Sequence, residues 1–391
     1  MRSVLGLLML LIAVITVLGI VWLWPAADEI PPRLGLTTDT LTGTVLAIPE
    51  YAETNAALNQ EFTMTVRLRG FADDITVIAH PEDAPETGIR VGDRIRVMAA
   101  PDFQGETEYF FIDFNRSPQL TLLVVAFIAV VIAVARLKGF AALVGLFGGI
   151  TIVWFLTIPA LLAGRNPVLV ALFTASAVMF LVVYLAHGVS WKSTAALLST
   201  LVSLSFVTAL GWLVMPAAHI NPLLASDYRR LATDIPGMDL KGVLLCGMVL
   251  AGVGVLNDVT ITQAALVWEL RNASPAISRR ELFRTAMRIG RDHIASSVYT
   301  IAFSYVGTSL VLLLIINTMY QTPLAFLSFG EVAQELVVTG VTSIGLVLAI
   351  PFSTFIATAL VGGHDSLSVT EGEASLPPLS STAAVAPETQ V

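Results

Sequence analysis

Asn257 and Asp258 interrupt an apolar run, LLCGMVLAGVGVLNDVTITQAALVWEL from Leu244 to Leu270, and Thr260, Thr262, Gln263 and Glu269 follow them. An ionisable side chain at bilayer depth costs several kcal/mol and marks an ion path, a proton relay or an interhelical partner. At 100° per residue, Asp258, Thr262, Ala265 and Glu269 share one helix face. A carboxylate there can hold a cation or pass on a proton, with Asn257, Thr262 and Gln263 as neutral hydrogen-bonding neighbours. The plainer reading is that Asp258 marks the cytoplasmic end of the span, wetted by headgroups. Gly247, Ala251 and Gly254, one span-half earlier, are small residues that let a neighbouring helix approach.

A second stripe lies in GRDHIASSVYTIAFSYVGTSL, where His293, Ser297, Thr300, Ser304 and Thr308 recur on one face and Arg291 and Asp292 stand at its entrance. Hydroxyls repeating along a helix line either a crevice or a packed seam, since they also bond back to their own backbone. Glu335, Thr339 and Thr342 form a third polar face, in a helix whose pattern breaks at Pro351. The chemistry available is binding. The sequence has no Walker motif, HExxH or nucleophile elbow, and Asp258 sits two residues too late after its glycines for an intramembrane aspartyl protease. The candidate substrate- or ion-binding set is therefore Asn257, Asp258, Thr262, Gln263, Glu269, Asp292, His293, Ser297, Thr300 and Ser304, with no catalytic group, metal or cofactor expected.

The elements that must position these residues are membrane helices. Of 391 residues, 55% are hydrophobic and only 13% charged, and the mean hydropathy is +0.81, far too apolar for a soluble protein. With roughly 20 residues per span, the pattern gives about eight spans: Val4 to Trp24, Pro118 to Ala135, Phe140 to Leu162, Val168 to Ala186, Thr194 to Met215, Gly242 to Thr260, Ile294 to Ile316 and Leu336 to Val361. Lys and Arg fall mainly in alternate loops, including Arg136, Lys138 and six arginines from Arg271 to Arg291. By the positive-inside rule both termini are cytoplasmic. The first run reads as an uncleaved anchor over residues 1–27, the alternative being a signal peptide cut after Ala27. The single cysteine, Cys246, rules out a disulfide framework.

Residues 28–117 follow a different grammar. LTGTVLAI, EFTMTVRLRG, DITVIAH, VGDRIRVMAA and TEYFFIDFNR are short β-branched and aromatic runs between turn residues. Five such strands suggest a small extracytoplasmic OB-like β-barrel. Its 16 acidic and 7 basic residues give −9, arguing against a grip on anionic polymers, and nothing suggests nucleic acid binding. Residues 118–361 then form a seven-helix membrane domain. Residues 362–391, rich in Ser, Thr, Pro, Ala and Glu, read as a disordered cytoplasmic tail.

Taken together, these motifs resemble the YibE/F-like family of multipass bacterial membrane proteins. GVLNDVTITQAALVWEL looks like the family's glycine-rich stretch leading to an aspartate and a polar helix ending in Glu. GRDHIASSVYTIAFSYVG is similar to its Gly-Arg-Asp segment with a downstream Tyr-Val-Gly, and IGLVLAIPFST to its closing Gly-to-Pro helix. KGFAAL, Pro159 and AGRNP, with VGDRIRV and DFNRSP upstream, extend the likeness from about Leu41 to Phe355. The resemblance implies a bacterial inner-membrane address, with the barrel outside, and a permease-like description. Three functions follow as expectations: a secondary transporter of a small solute or cation centred on Asp258; an envelope scaffold whose β domain docks a partner protein; and a membrane-embedded enzyme.

Overall fold

The computed structural model describes residues 2–26, 28–30, 40–49, 61–71, 73–80, 88–101, 107–319 and 329–361. The tail expected after Gly363 lies outside the described residues. The chain divides into two compact units, Ile30–Leu146 and a second made of Met1–Glu29 with Phe147–Val391.

In the first unit the period-two runs become strands β1 (Thr40–Ala47), β2 (Phe62–Leu68), β3 (Asp74–Ala79), β4 (Arg94–Pro101) and β5 (Thr107–Phe114). Alternation drives closure. Phe62, Met64, Val66 and Leu68 of β2 are buried while Thr63, Thr65 and Arg67 point out, so one face of each strand can enter a shared core. The barrel is closed in the order β1-β2-β3-β5-β4, β4 pairing back onto β1; among the described strands only β3 and β5 run parallel. The VGDRIRV motif forms the expected turn into β4, where the Asp93 carboxylate accepts the Arg90 N–H at 2.7 Å.

Helix α2 (Ser117–Ile152) leaves the barrel and is broken at Arg136, whose φ of 52° and ψ of −132° are not helical. A Cβ on Gly139 would fall 2.5 Å from the Val131 carbonyl oxygen. Residues eight apart in a straight helix are about 12 Å apart, so the chain folds sharply at Arg136, and glycine is what permits the approach. Through a π-helical turn (Val153–Thr157) the tract runs on to Leu162.

The second unit holds α1 (Arg2–Leu23), α3 (Pro167–His187), α4 (Trp191–Ala217), α5 (Ser226–Asp234), α6 (Leu240–Ala273), α7 (Arg279–Thr308), α8 (Leu310–Met319) and α9 (Gly330–Val361). Side-chain caps start several of them: Asn166 accepts from the Val168 and Leu169 amides, Ser190 from Ser193 and Asp239 from Gly242. Central α6 packs against α3, α4, α7 and α9 around Met179, Leu204, Val207, Met248, Leu256 and Ile350. Along α1 and α2, by contrast, large apolar side chains such as Leu7, Val21, Leu122 and Val134 are uncovered, a surface that lipid accepts and water does not.

Among the described residues, six tracts are long and apolar enough to cross a membrane, against about eight expected spans. The difference has two sources. Ser117–Leu162, 46 residues, holds two expected spans in one tract. The span expected over Ile294 to Ile316 is divided at Ser309 between α7 and α8, and the arginines and hydroxyls of α7 lower its hydropathy.

Candidate functional site

A polar seam runs through the apolar interior where α4, α6, α7 and α9 meet. From α4 come Ser199, Thr200 and Ser203, all fully buried. Their hydroxyls return to the helix: Ser199 donates to the Ala195 carbonyl at 2.6 Å, Thr200 to Ala196 at 2.9 Å and Ser203 to Ser199 at 2.8 Å. Thr200 also lies 2.6 Å from the Thr260 hydroxyl of α6. A hydroxyl has one proton; with Thr200 donating to Ala196, Thr260 gives its proton to Thr200 at 2.6 Å rather than to the Asn257 carbonyl 3.2 Å away.

One turn further along α6, buried Gln263 ties three helices. Its amide nitrogen donates to the Ala286 carbonyl of α7 at 3.0 Å and to the Thr354 hydroxyl of α9 at 2.8 Å, and Thr354 donates onward to the Ile350 carbonyl at 2.7 Å. Gly290 permits this approach, since a Cβ there would lie 2.7 Å from Ile350 Cγ2 and 3.1 Å from both polar atoms of the Gln263 amide. Ser353, after Pro351, donates to the same Ile350 carbonyl at 3.1 Å.

Not every group in the seam is satisfied. The Oδ1 of Asn257, the Nε2 of His293 and the Oγ1 of Thr358 are buried without a hydrogen-bond partner. Joined by the short connection between Ala273 and Arg279, α6 and α7 run antiparallel. Asn257, six residues before Gln263 on α6, and His293, three residues after Gly290 on α7, therefore both lie on the side of that contact away from the connection.

Of the expected residues, the structure buries Gln263 and half-buries Asn257, His293 and Ser297. It leaves the rest uncovered. Asp258, Thr262 and Glu269 lie on the uncovered face of α6, and Asp292, Thr300 and Ser304 on the uncovered face of α7. Thr300 there donates to its own helix, to Ser296 at 3.0 Å. Asp258, Glu269 and Asp292 make no ion pair among the described residues. Sequence reasoning passed over Ser199, Thr200, Ser203, Ser353 and Thr354. The first three stood in STLVSLSFVT, where Ser199 and Ser203 recur at helical spacing inside an apolar span.

Long apolar helices uncovered by protein, and a bundle with a buried hydrogen-bonded seam, define a helical membrane protein. The chain belongs to the family of the YibE/F-like protein, whose model matches residues 123–363. The match contains the whole seam and begins within α2, leaving the barrel outside it, whereas the resemblance read from the sequence began near Leu41. No curated protein and no solved structure is detectably similar to the chain.

Proposed function

We propose that the protein is a permease-like secondary transporter in a bacterial cytoplasmic membrane, moving a small polar solute or cation along the seam between α6, α7 and α9. The observation that carries the reading is the pair of buried, unpartnered atoms, Asn257 Oδ1 and His293 Nε2, in a seam whose other polar groups mostly bond to protein. Buried polar groups are nearly always paired, and an unpaired one calls for a missing ligand, ion or water. An amide oxygen accepts and an imidazole nitrogen either donates or accepts, so together they suit a cation or a hydroxyl- or amine-bearing solute. Asp258 and Asp292, next to Asn257 and His293 in the chain, stand on the open faces of the two helices and supply negative charge beside them.

The finer topology belongs to the same proposal. Ser117–Leu162 spans about 69 Å of helix, more than two hydrocarbon thicknesses, and is counted as two crossings. With α7 as another, the total is eight, which puts both termini on the arginine-rich cytoplasmic side. The strand order with its parallel β3–β5 pair supports an OB-like barrel on the other side.

The test uses full-length protein in liposomes on a solid-supported membrane, challenged in turn with Na⁺, K⁺, protons and uncharged polar solutes. The expected result is a saturable charge movement or uptake that Asn257→Ala and His293→Ala abolish. Wild type behaving like protein-free liposomes, or both variants behaving like wild type, removes the reading.

A second reading, a scaffold that docks a partner through a membrane helix rather than through the β domain expected from the sequence, is favoured by the open face of α6. There Gly247, Ala251, Gly254, Asp258 and Thr262 are uncovered, and beyond the adjoining backbone of α6 itself no atom lies within 4 Å of a Cβ built on Gly247 or Gly254. Such a face suits a partner helix. Ala251→Cys cross-linking to a co-purifying membrane protein, with no transport by wild type, is the outcome that selects it.

A further inference from the structure

The barrel is acidic overall, yet its fold gathers arginines on one side. Thr44 of β1 is in register with Arg67 of β2 on one flank and with Arg94 of β4 on the other. Arg67 and Arg94 therefore stand level on the outer surface, two strand spacings or about 10 Å apart. Arg69 follows just past the end of β2, its amide bonded to the Thr42 carbonyl at 2.8 Å. Arg67, Arg69 and Arg94, with Phe71 and Asn115, line an open groove of about 620 Å³. Arg67 is compensated by a two-pronged pair with Asp74 at 2.8 and 3.0 Å. Arg69 and Arg94 have no ion pair and no side-chain hydrogen bond among the described residues. Free like charges brought together on a sheet surface repel; an anion between them reverses the sign.

The groove also has a fixed place along the chain. Arg94 and Asn115 line a second cavity of about 570 Å³ that continues past Arg116 and Gln119 to Leu120. Asn115 donates its amide to the Arg94 carbonyl at 2.7 Å and accepts from the Ser117 amide at 3.2 Å, which pins the groove to the first turn of α2. Arg116 is occupied by Asp113 at 2.6 Å, and that hydrogen bond holds the Asp113 carboxyl below the usual carboxylate range. From Leu120 onward α2 presents uncovered apolar side chains, including Leu122, Leu123 and Phe127.

We propose that this groove binds the phosphate of an anionic phospholipid headgroup, with Arg69 and Arg94 as its ligands and the acyl chains lying along α2 from Leu120. The proposal rests on the reading that α2 enters the bilayer at its first turn, because that places Arg94 and Asn115 at headgroup depth. Guanidinium groups suit phosphate oxygens through paired, charge-assisted hydrogen bonds. A lipid is favoured over a free anion because the two cavities join a cationic end to an apolar one.

The test is native mass spectrometry of the full-length protein in a neutral detergent, titrated separately with phosphatidylglycerol, phosphatidylcholine and inorganic phosphate. Wild type is expected to bind one phosphatidylglycerol that Arg69→Gln/Arg94→Gln binds about tenfold more weakly, the size of one charge-assisted hydrogen bond. Arg69→Lys/Arg94→Lys keeps the charge and recovers part of that loss. Arg90→Gln, an exposed arginine outside both cavities, leaves binding unchanged. Equal binding by wild type and the glutamine pair overturns the proposal, as does an equal loss in Arg90→Gln. Inorganic phosphate that binds the groove as well as the lipid, and displaces it at equal concentration, overturns the assignment to a headgroup. None of these readouts depends on transport, so the groove and the seam stand or fall separately.

Discussion

The two faces of α6 carry similar residues to opposite ends. Inward, Thr260 and Gln263 are buried and their donors are spent on α4, α7 and α9. Outward, Asp258 and Thr262 continue a line of small residues, Gly247, Ala251 and Gly254, and no described side chain covers them. The inner face shows what polarity does when it finds partners within the chain: it fixes which helices touch and in what register. The outer face has the same hydrogen-bonding capacity with no partner among the described residues, which leaves headgroups, a transported ion or a second helix to meet it. Asn257 lies at the boundary, half-buried, its side-chain oxygen unpaired.

The largest effect on that contrast comes from preventing the inner contact altogether. Gly290→Val places a branched side chain against Ile350 and the Gln263 amide, where even one carbon approaches to 2.7 Å. Overpacking of this kind costs about 3 kcal/mol, and α7 is expected to separate from α6 and α9. The check is thermal unfolding in detergent together with loss of a disulfide engineered between α7 and α9. An unchanged melting temperature would mean that the approach at Gly290 is not needed.

Gln263→Leu keeps the volume and removes the tie. About 1–2 kcal/mol is expected, not more, because the Ala286 and Ile350 carbonyls remain inside their helices and Thr354 keeps its own acceptor. A double-mutant cycle with Thr354→Val sharpens the point. Coupling near 1 kcal/mol shows that the two side chains act as one, whereas additivity leaves Gln263 as a space-filler.

How much of this was legible beforehand follows from what each element buries. The barrel strands could be read because one buried face and one wet face impose a period of two, as FTMTVRL shows. The apolar helices could be read from length alone. The phase of α6 could not. A helix in lipid can be apolar on every side, so its polar residues do not announce which side is turned in, and Asp258 stands only about 100° from Asn257 and about 140° from Gln263 around the helix. Choosing the face that held the carboxylate followed the charge, while burial followed the groups that could be satisfied by neighbouring helices. Those neighbours, Thr200, Ala286 and Thr354, lie 60, 23 and 91 residues away from their partners in the chain. Net charge hid the barrel's arginine groove in the same manner, because register across β1, not composition, brings Arg67 and Arg94 level.

Thr260→Val is a smaller perturbation. It removes the donor to Thr200 but leaves that hydroxyl bonded to Ala196, so one interhelical hydrogen bond is lost and no buried donor is stranded. In membrane bundles such a bond averages about 0.6 kcal/mol. A one- to two-degree fall in melting temperature is the expected reading for a unit of this size, by the scaling of melting shifts with stability. A fall as large as that of Gly290→Val would mean that the α4–α6 contact, not the α6–α7 contact, organises the seam.

The smallest expected effect on stability belongs to the most conspicuous residue. Asp258 has no ion pair among the described residues and lies on the open face, so Asp258→Asn removes a charge without stranding a partner or opening a cavity. For the isolated protein in detergent the change should stay within about 0.5 kcal/mol. That near-zero value separates the two faces most cleanly, because a large loss would show that Asp258 is bound internally and that α6 is turned differently from its position here. With stability unchanged, any loss of charge movement in liposomes then reports on what the outer face meets. Loss of a co-purifying partner under the same substitution, with flux intact, assigns that face to docking instead.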